Sequence, residues 1–451
     1  MNEIPFGFGK PGDPNDPGSG ADISSALHRF ADMLSWQGGP VNWDLAKDVA
    51  RQAAAGDDPS IGPAEQAAVT DAIRLAELWL DPTTSFPAAT TSARAWSRAE
   101  WIEATLPTWT TLVEPVAAKV VDAFSGELTG GLAAGLGGLG GLGGLGGTGF
   151  GIPGLPGSPA GESPGELSEM AAPLLSMMRQ MGGVMFGSQI GQALGTLSRE
   201  VVSSTDVGLP LAGVGHAALI PAGIEAFGAG LGVAPDEVRL YLALREAACH
   251  RLFAGAPWLR GRLLAALDDY ARGITVDTER MQEAFGSIDP TNPESLQDAL
   301  TGGLFEPENT PAQQAALGRL EMLLALIEGW IDDVVSQAAD GRLAGAAALG
   351  ETVRRRRASG GPAEQTFGTL VGLQLRPRRM REAAQLWRLV REARGTDGRD
   401  ALWEHPDLLP GMDDLDDPAG FVDRRDSDLD LRSLDDLPPG EPPPGDLPER
   451  T

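Results

Sequence analysis

The chain has 451 residues, room for two or three domains, and 42% of them are hydrophobic, so a sizeable core can be buried. Its 60 Gly and 35 Pro exceed an ordinary share, so part of the chain is predicted to stay outside packed structure. A formal net charge of -28 disfavours a general nucleic-acid binder, and a single Cys excludes a disulfide framework and an all-cysteine zinc site. Residues 1–7 lack the basic and apolar regions of a secretion signal, and there is no charge-free apolar run of about 18 residues, so a cytoplasmic protein without a membrane span is expected.

Residues 1–20 read as a disordered arm rich in Gly, Pro, Asp and Asn. A smaller helical region follows over 21–125. Asn42 caps a helix from Trp43, and Pro63 opens another on which Val69, Ala72, Ile73, Ala76 and Leu80 share one face. Ser97 and Glu100 form a capping box, and Pro107 is predicted to break or kink the helix that it starts. Residues 126–165 repeat Leu-Gly-Gly and then Pro-Gly, the composition of a flexible linker. The match to a dinucleotide-binding glycine pattern from Gly135 to Gly140 lacks a preceding strand and is read as accidental.

The main helical domain is predicted over 166–425. Gly183, Gly187, Gly191 and Gly195 recur every fourth residue, a smooth strip that lets another backbone approach closely. Strong helices are expected at about 236–254, 256–272, 311–338 and 376–394, the third capped by Thr310 and opened by Pro311. Nothing alternates like strands, so the fold class is mainly α. Residues 426–451 read as an acidic, Pro-rich disordered tail; from Met412 onward there are 13 acids against 4 Arg.

One helix is unusual. Between Pro235 and Phe253, Val238, Tyr241, Leu242, Cys249, Leu252 and Phe253 fall on one stripe, and Arg245 lies in its middle. Glu246 and His250 sit together on the flank, four residues apart. A charge centred on an apolar face implies a buried partner or a solvated cleft. The frame also resembles the zinc-binding pattern His-Glu-x-x-His, in which two His hold the metal and the Glu polarises water. Here it reads Arg245-Glu246-Ala247-Ala248-Cys249, with His250 one residue late. The general-base Glu is kept, the first ligand position carries a cation with no lone pair, and the second carries a Cys that could ligate as thiolate.

Several further segments, in order, share this likeness: Phe6-Gly-Phe8, Gly39-Pro-Val-Asn-Trp43, Gly187-Ser-Gln-Ile-Gly191-Gln-Ala-Leu-Gly195, Pro257-Trp258-Leu259, Leu326-Ile-Glu328-Gly-Trp330 and Leu402-Trp403-Glu-His-Pro406. With Asp236 to Glu246 they make the chain resemble the actinobacterial zincin-like metallopeptidases, labelled zinc-dependent metalloproteases or hydrolases. The resemblance implies a mainly helical zincin-like domain with its active helix in the second half, and zinc as cofactor if active. Other members carry a full His-Glu-x-x-His; this chain departs from it at Arg245 and Cys249.

The resemblance also implies a third ligand, a carboxylate on a later helix, and Glu328 is the candidate. It lies on the stripe formed by Leu317, Leu324, Ile331 and Val335, with Asp332 near the edge. Arg245 and Glu328 are therefore expected to form a buried ion pair, with Asp332 the second choice of partner. The residues favour a family member without a working metal site, acting as a non-catalytic binding or regulatory protein on a protein or peptide partner. The alternative is an active hydrolase with Glu246 as catalytic base and Cys249, His250 and Glu328 as ligands. Cys249 is otherwise a small buried hydrophobe, and His250 a surface or boundary His. The Arg354–Arg357 and Arg376–Arg381 clusters lack interleaved aromatics, and they are expected to be solvated helix ends or to pair with the acidic tail rather than to bind nucleic acid.

Overall fold

The computed structural model describes residues 39–141, 164–272, 310–358 and 379–428. Among these residues there are twelve α-helices and two short strands, the mainly α fold that the sequence predicts. The arm at 1–20, most of the linker and most of the acidic tail lie outside them.

The predicted caps are present. Asn42 Oδ1 accepts from the Leu45 N–H at 3.0 Å to start α1 (Trp43–Ala54). Pro63 opens α2 (Pro63–Leu80), which buries the five residues expected of its inner face. Ser97 Oγ accepts from the Glu100 N–H at 3.2 Å, while Glu100 Oε2 accepts from the Ser97 N–H at 2.9 Å. Thr310 and Gln313 make the equivalent pair at the start of α8 (Pro311–Ala339).

Pro107 does not end its helix. α3 (Arg98–Gly141) runs through Pro107 and Pro115 and on into the Leu-Gly-Gly stretch, where composition alone suggested a linker. An interior proline costs about 3 kcal/mol. Trp101, Ile102, Trp109, Leu112 and Val113 are all buried on this helix, each contributing roughly 1.5–3 kcal/mol, so packing wins.

The glycine strip lies on α4 (Pro164–Glu200), and its partner is α1. A Cβ on Gly191 would stand 2.6 Å from the Ala46 carbonyl oxygen and 2.7 Å from Val49 Cβ. One on Gly187 would stand 2.5 Å from the Asn42 carbonyl oxygen. The chain turns after α4 and, following β2 (His216–Leu219) and α5 (Pro221–Gly228), enters α6 (Pro235–Gly255) and α7 (Trp258–Arg272). β1 (Ser92–Ala95) pairs in parallel with β2, Ser92 opposite His216 and Ala95 opposite Leu219. The segment 201–206 lies on the other edge of β2: the Ser204 N–H donates to the Ala218 carbonyl at 2.9 Å, and the Ile220 N–H to the Val202 carbonyl at 2.9 Å. The early and late regions of the sequence thus share one core.

α9 (Ala346–Ala358) and α10 (Met380–Asp400) pack beside α8, and α11 (Met412–Asp416) and α12 (Pro418–Asp428) close the described chain. Trp258, Trp387 and Trp403 stack, with ring centroids 6.4 and 5.3 Å apart. At the end of α10, Arg399 is fully buried and donates to Asp333 Oδ2 at 2.7 Å, Asp400 Oδ1 at 2.8 Å and the Thr83 carbonyl at 2.8 Å. Asp400 in turn accepts from Trp330 Nε1 at 2.8 Å, Thr84 Oγ1 at 2.7 Å and the Ser85 N–H at 2.8 Å.

Gly191→Ala should lower stability by about 1–3 kcal/mol, since both contacts involve backbone or branched side chain that cannot swing away. Gly318→Ala on α8, with nothing within 4 Å of the new methyl, should instead raise it by about 0.5–1 kcal/mol. Urea unfolding of the two variants beside the parent checks both signs.

Candidate functional site

The site is built around α6. The sequence gives this helix one apolar stripe with a polar flank. In the structure every residue from Tyr241 to Phe253 is buried, because α2, α5, α8, α9 and β2 all pack against the helix. Its charged residues therefore face protein on every side, and each needs its own partner.

Glu246, expected on the flank, is 0% exposed. Oε1 accepts from Ser204 Oγ at 2.5 Å, from the Ala218 N–H at 2.9 Å and from His250 Nε2 at 3.3 Å. Oε2 accepts from the Thr205 N–H at 3.1 Å and from Thr205 Oγ1 at 2.5 Å. Burial pushes this carboxyl's pKa up, but the hydrogen bonds from His250, Ser204 and Thr205 outweigh it and hold the pKa below the ordinary value. The two backbone donors come from β2 and the 201–206 segment, so the short strand pairing is what aims them at α6.

His250 is also fully buried, not at the surface. Its Nδ1 accepts from the Gly215 N–H at 3.1 Å, which assigns the proton to Nε2, the nitrogen facing Glu246. Both ring nitrogens are thereby used within the protein. Cys249, 1% exposed, has its thiol pKa pushed well above the ordinary value by burial and by the charges of Glu246 and Glu328. Burial therefore disfavours its thiolate and makes it a poor nucleophile.

Arg245 Nη2 lies 2.5 Å from Glu328 Oε2, across from α8. Burial opposes its charge, but Glu328, Tyr241, Asp332 and Asp206 outweigh burial and raise its pKa. Asp332 goes to another partner, Arg354, at 3.1 Å. The basic run on α9 is not a solvated helix end: Arg357 Nη2 is 2.8 Å from Glu328 Oε1, and Arg356 Nη1 is 3.0 Å from Asp206 Oδ2. Asp206 also accepts from the Val202 N–H at 3.0 Å, and it is kept ionised by Arg356 and Arg357 despite its burial.

Asp206, Ser204, Thr205 and the inward turn of Arg356 and Arg357 were not legible in the sequence. The one available signal was four consecutive Arg in a strongly acidic chain. The His216 ring pairs with Ser92 at the surface and His405 lies near Asp407; His28 is outside the described residues. Among the described residues, no group of three or more His, Cys, Asp and Glu is arranged to hold a metal, and no helix is long and apolar enough to cross a membrane.

Removing Glu328 should cost more than removing Arg245. Glu328→Ala strands Arg245 in the core and should destabilise by about 3–5 kcal/mol, whereas Arg245→Ala leaves Glu328 with Arg357 and should cost less. Chemical denaturation of the two variants checks this order. Glu246→Gln should destabilise by about 1–3 kcal/mol, because either amide orientation aims an NH₂ at a fixed N–H, of Thr205 or of Ala218. The lowered pKa of Glu246 adds stability above the ordinary carboxylate range that is lost as pH falls below about 4. Acid titration of Tm should therefore be shallower in Glu246→Gln than in the parent.

No curated protein sequence matches this chain. A crystal structure from Chloroflexus aurantiacus, described as a proposed hydrolase with a novel fold, aligns with a TM-score of 0.56 at 18% identity, over 86% of this chain and 99% of that one. That likeness shows a common fold. The zincin-like metallopeptidase family matches residues 41–422, a span that includes α6, Glu328 and every partner just described. The chain belongs to the zincin-like metallopeptidases.

Proposed function

We propose that this protein is a non-catalytic member of its family, in which an arginine–carboxylate network stands where a metal would be held, and that it acts by binding a protein or peptide partner. The observation that carries this reading is the state of Glu246. A carboxylate that polarises water needs an oxygen free to take a proton. Both oxygens of Glu246 already accept two or more hydrogen bonds from the protein, and the residue is closed to solvent.

The donor set does not fit zinc either. Arg245 has no lone pair and is committed to Glu328. Cys249 is buried among apolar neighbours on α6, and His250 points one nitrogen at the Gly215 N–H and the other at Glu246. Adjacent helical residues such as Cys249 and His250 also project about 100° apart, so they chelate one ion poorly.

Elemental analysis of the purified, dialysed protein should find far less than one zinc per chain. The double change Arg245→His with Cys249→His, which restores two imidazoles one turn apart, should raise zinc affinity. Stoichiometric zinc in the parent that disappears on Cys249→Ala would overturn the non-catalytic reading and favour a hydrolase that uses Glu246 with rearranged ligands.

A further inference from the structure

We infer that the outward stripe of α2 is an interface between two copies of this chain, packed antiparallel about a two-fold axis near Asp71. The inference goes beyond the reading of α6 and stands whether or not a metal is bound there. α2 buries Val69, Ala72, Ile73, Ala76 and Leu80. At about 100° per residue, Ala64, Ala68, Asp71, Leu75 and Leu78 fall on an outward arc of about 80°. Leu75 and Leu78 are 38% and 64% exposed. A lone exposed Leu needs no explanation, but two of them one turn apart form an apolar ridge in water.

The other half of the same stripe is a hollow. Ala64 and Ala68 add almost no bulk, and beside them opens a groove of about 710 Å³ that includes the buried side chains of Val69, Ile224 and Val238. A ridge at one end of a helix and a hollow at the other are self-complementary when a second copy runs antiparallel. Leu78 and Leu75 of one copy then come over Ala64 and Ala68 of the other, and the same contact is made in reverse. Parallel copies would set ridge against ridge.

Charge selects a second copy as the occupant. Asp71 stands midway between Ala64 and Leu78, with Arg74 on its flank, and their side chains are 74% and 76% exposed. Within one chain the two lie 3.3 Å apart, an exposed pair that contributes little by itself. Antiparallel packing brings each Arg74 within reach of the other copy's Asp71, so the two acids nearest the axis are both answered. The four charges alternate and sum to zero, which a chain of net charge -28 needs wherever it meets its own copy. A helix of 18 residues gives a small interface, so the association is weak and depends on concentration.

Sedimentation velocity of the full chain at roughly 1–500 μM should show the average mass rising from one chain toward two. Leu78→Glu should abolish that rise and leave Tm of the dilute protein unchanged, because Leu78 is mostly exposed. Val214→Glu, at an exposed apolar residue elsewhere, should leave the rise intact. Asp71→Arg and Arg74→Asp, each sedimented alone, should associate at least about tenfold more weakly than the parent. Mixed in equal amounts, the two variants should recover the parent's association, since every cross-copy pair of positions 71 and 74 then joins opposite charges. A parent that stays monomeric at every concentration overturns the inference and leaves the groove to a different partner. Association that survives Leu78→Glu, or a mixture no stronger than its components, overturns it too, because the copies then meet elsewhere or without this pairing.

Discussion

The fold depends on keeping four ionisable side chains of a single buried helix satisfied. Arg245, Glu246, His250 and Arg251 all lie on α6, and all are buried. Each is answered by a different part of the molecule. Arg245 meets α8 and Glu246 meets the 201–206 segment and β2. His250 meets the turn at Gly215, and Arg251 meets Glu77, Asp81 and the Phe86 carbonyl at or just after the end of α2. A purely apolar helix in this place would tolerate rotation or sliding. This one does not, because a shift of one residue would leave several charged groups without partners in a dry interior.

Much of the architecture was legible in the sequence because the signals were local. Asn42, Ser97 and Thr310 act as caps within three residues of their targets, and the glycine spacing on α4 announces a close helix contact without naming α1. The motif segments around Trp258, Trp330 and Trp403 converge in one core. Signals failed where packing outweighed local preference. Pro107 reads as a break or a kink, yet its helix buries two tryptophans close by and does not break.

The site was readable only in part, and the reason is its mode of construction. Arg245 and Glu328 each break an apolar stripe, and two such breaks on neighbouring helices invite pairing. Ser204 and Thr205 break nothing: in sequence they are ordinary loop residues, and their role exists only because β2 carries the adjoining strand-like segment over α6. Arg356 and Arg357 sit in a run whose composition resembles a solvated helix end. Their inward turn comes from the packing of α9 against α8 and α6, a tertiary contact that no periodicity encodes.

The clamp at Arg399 and Asp400 has a consequence for synthesis. These two residues reach back to Thr83, Thr84 and Ser85, with 315 or 316 positions between partners. At ordinary elongation rates of about 5–20 residues per second, the ribosome needs roughly 15–60 s to make the distance. Through that interval the end of α2 lacks the groups that complete it, and over the last 66–70 positions Asp333 and Trp330 wait as well. The nascent chain can form its early helices in order, but the core cannot lock until nearly the last described helix emerges, so a chain truncated before Arg399 leaves the ribosome with its central layer open.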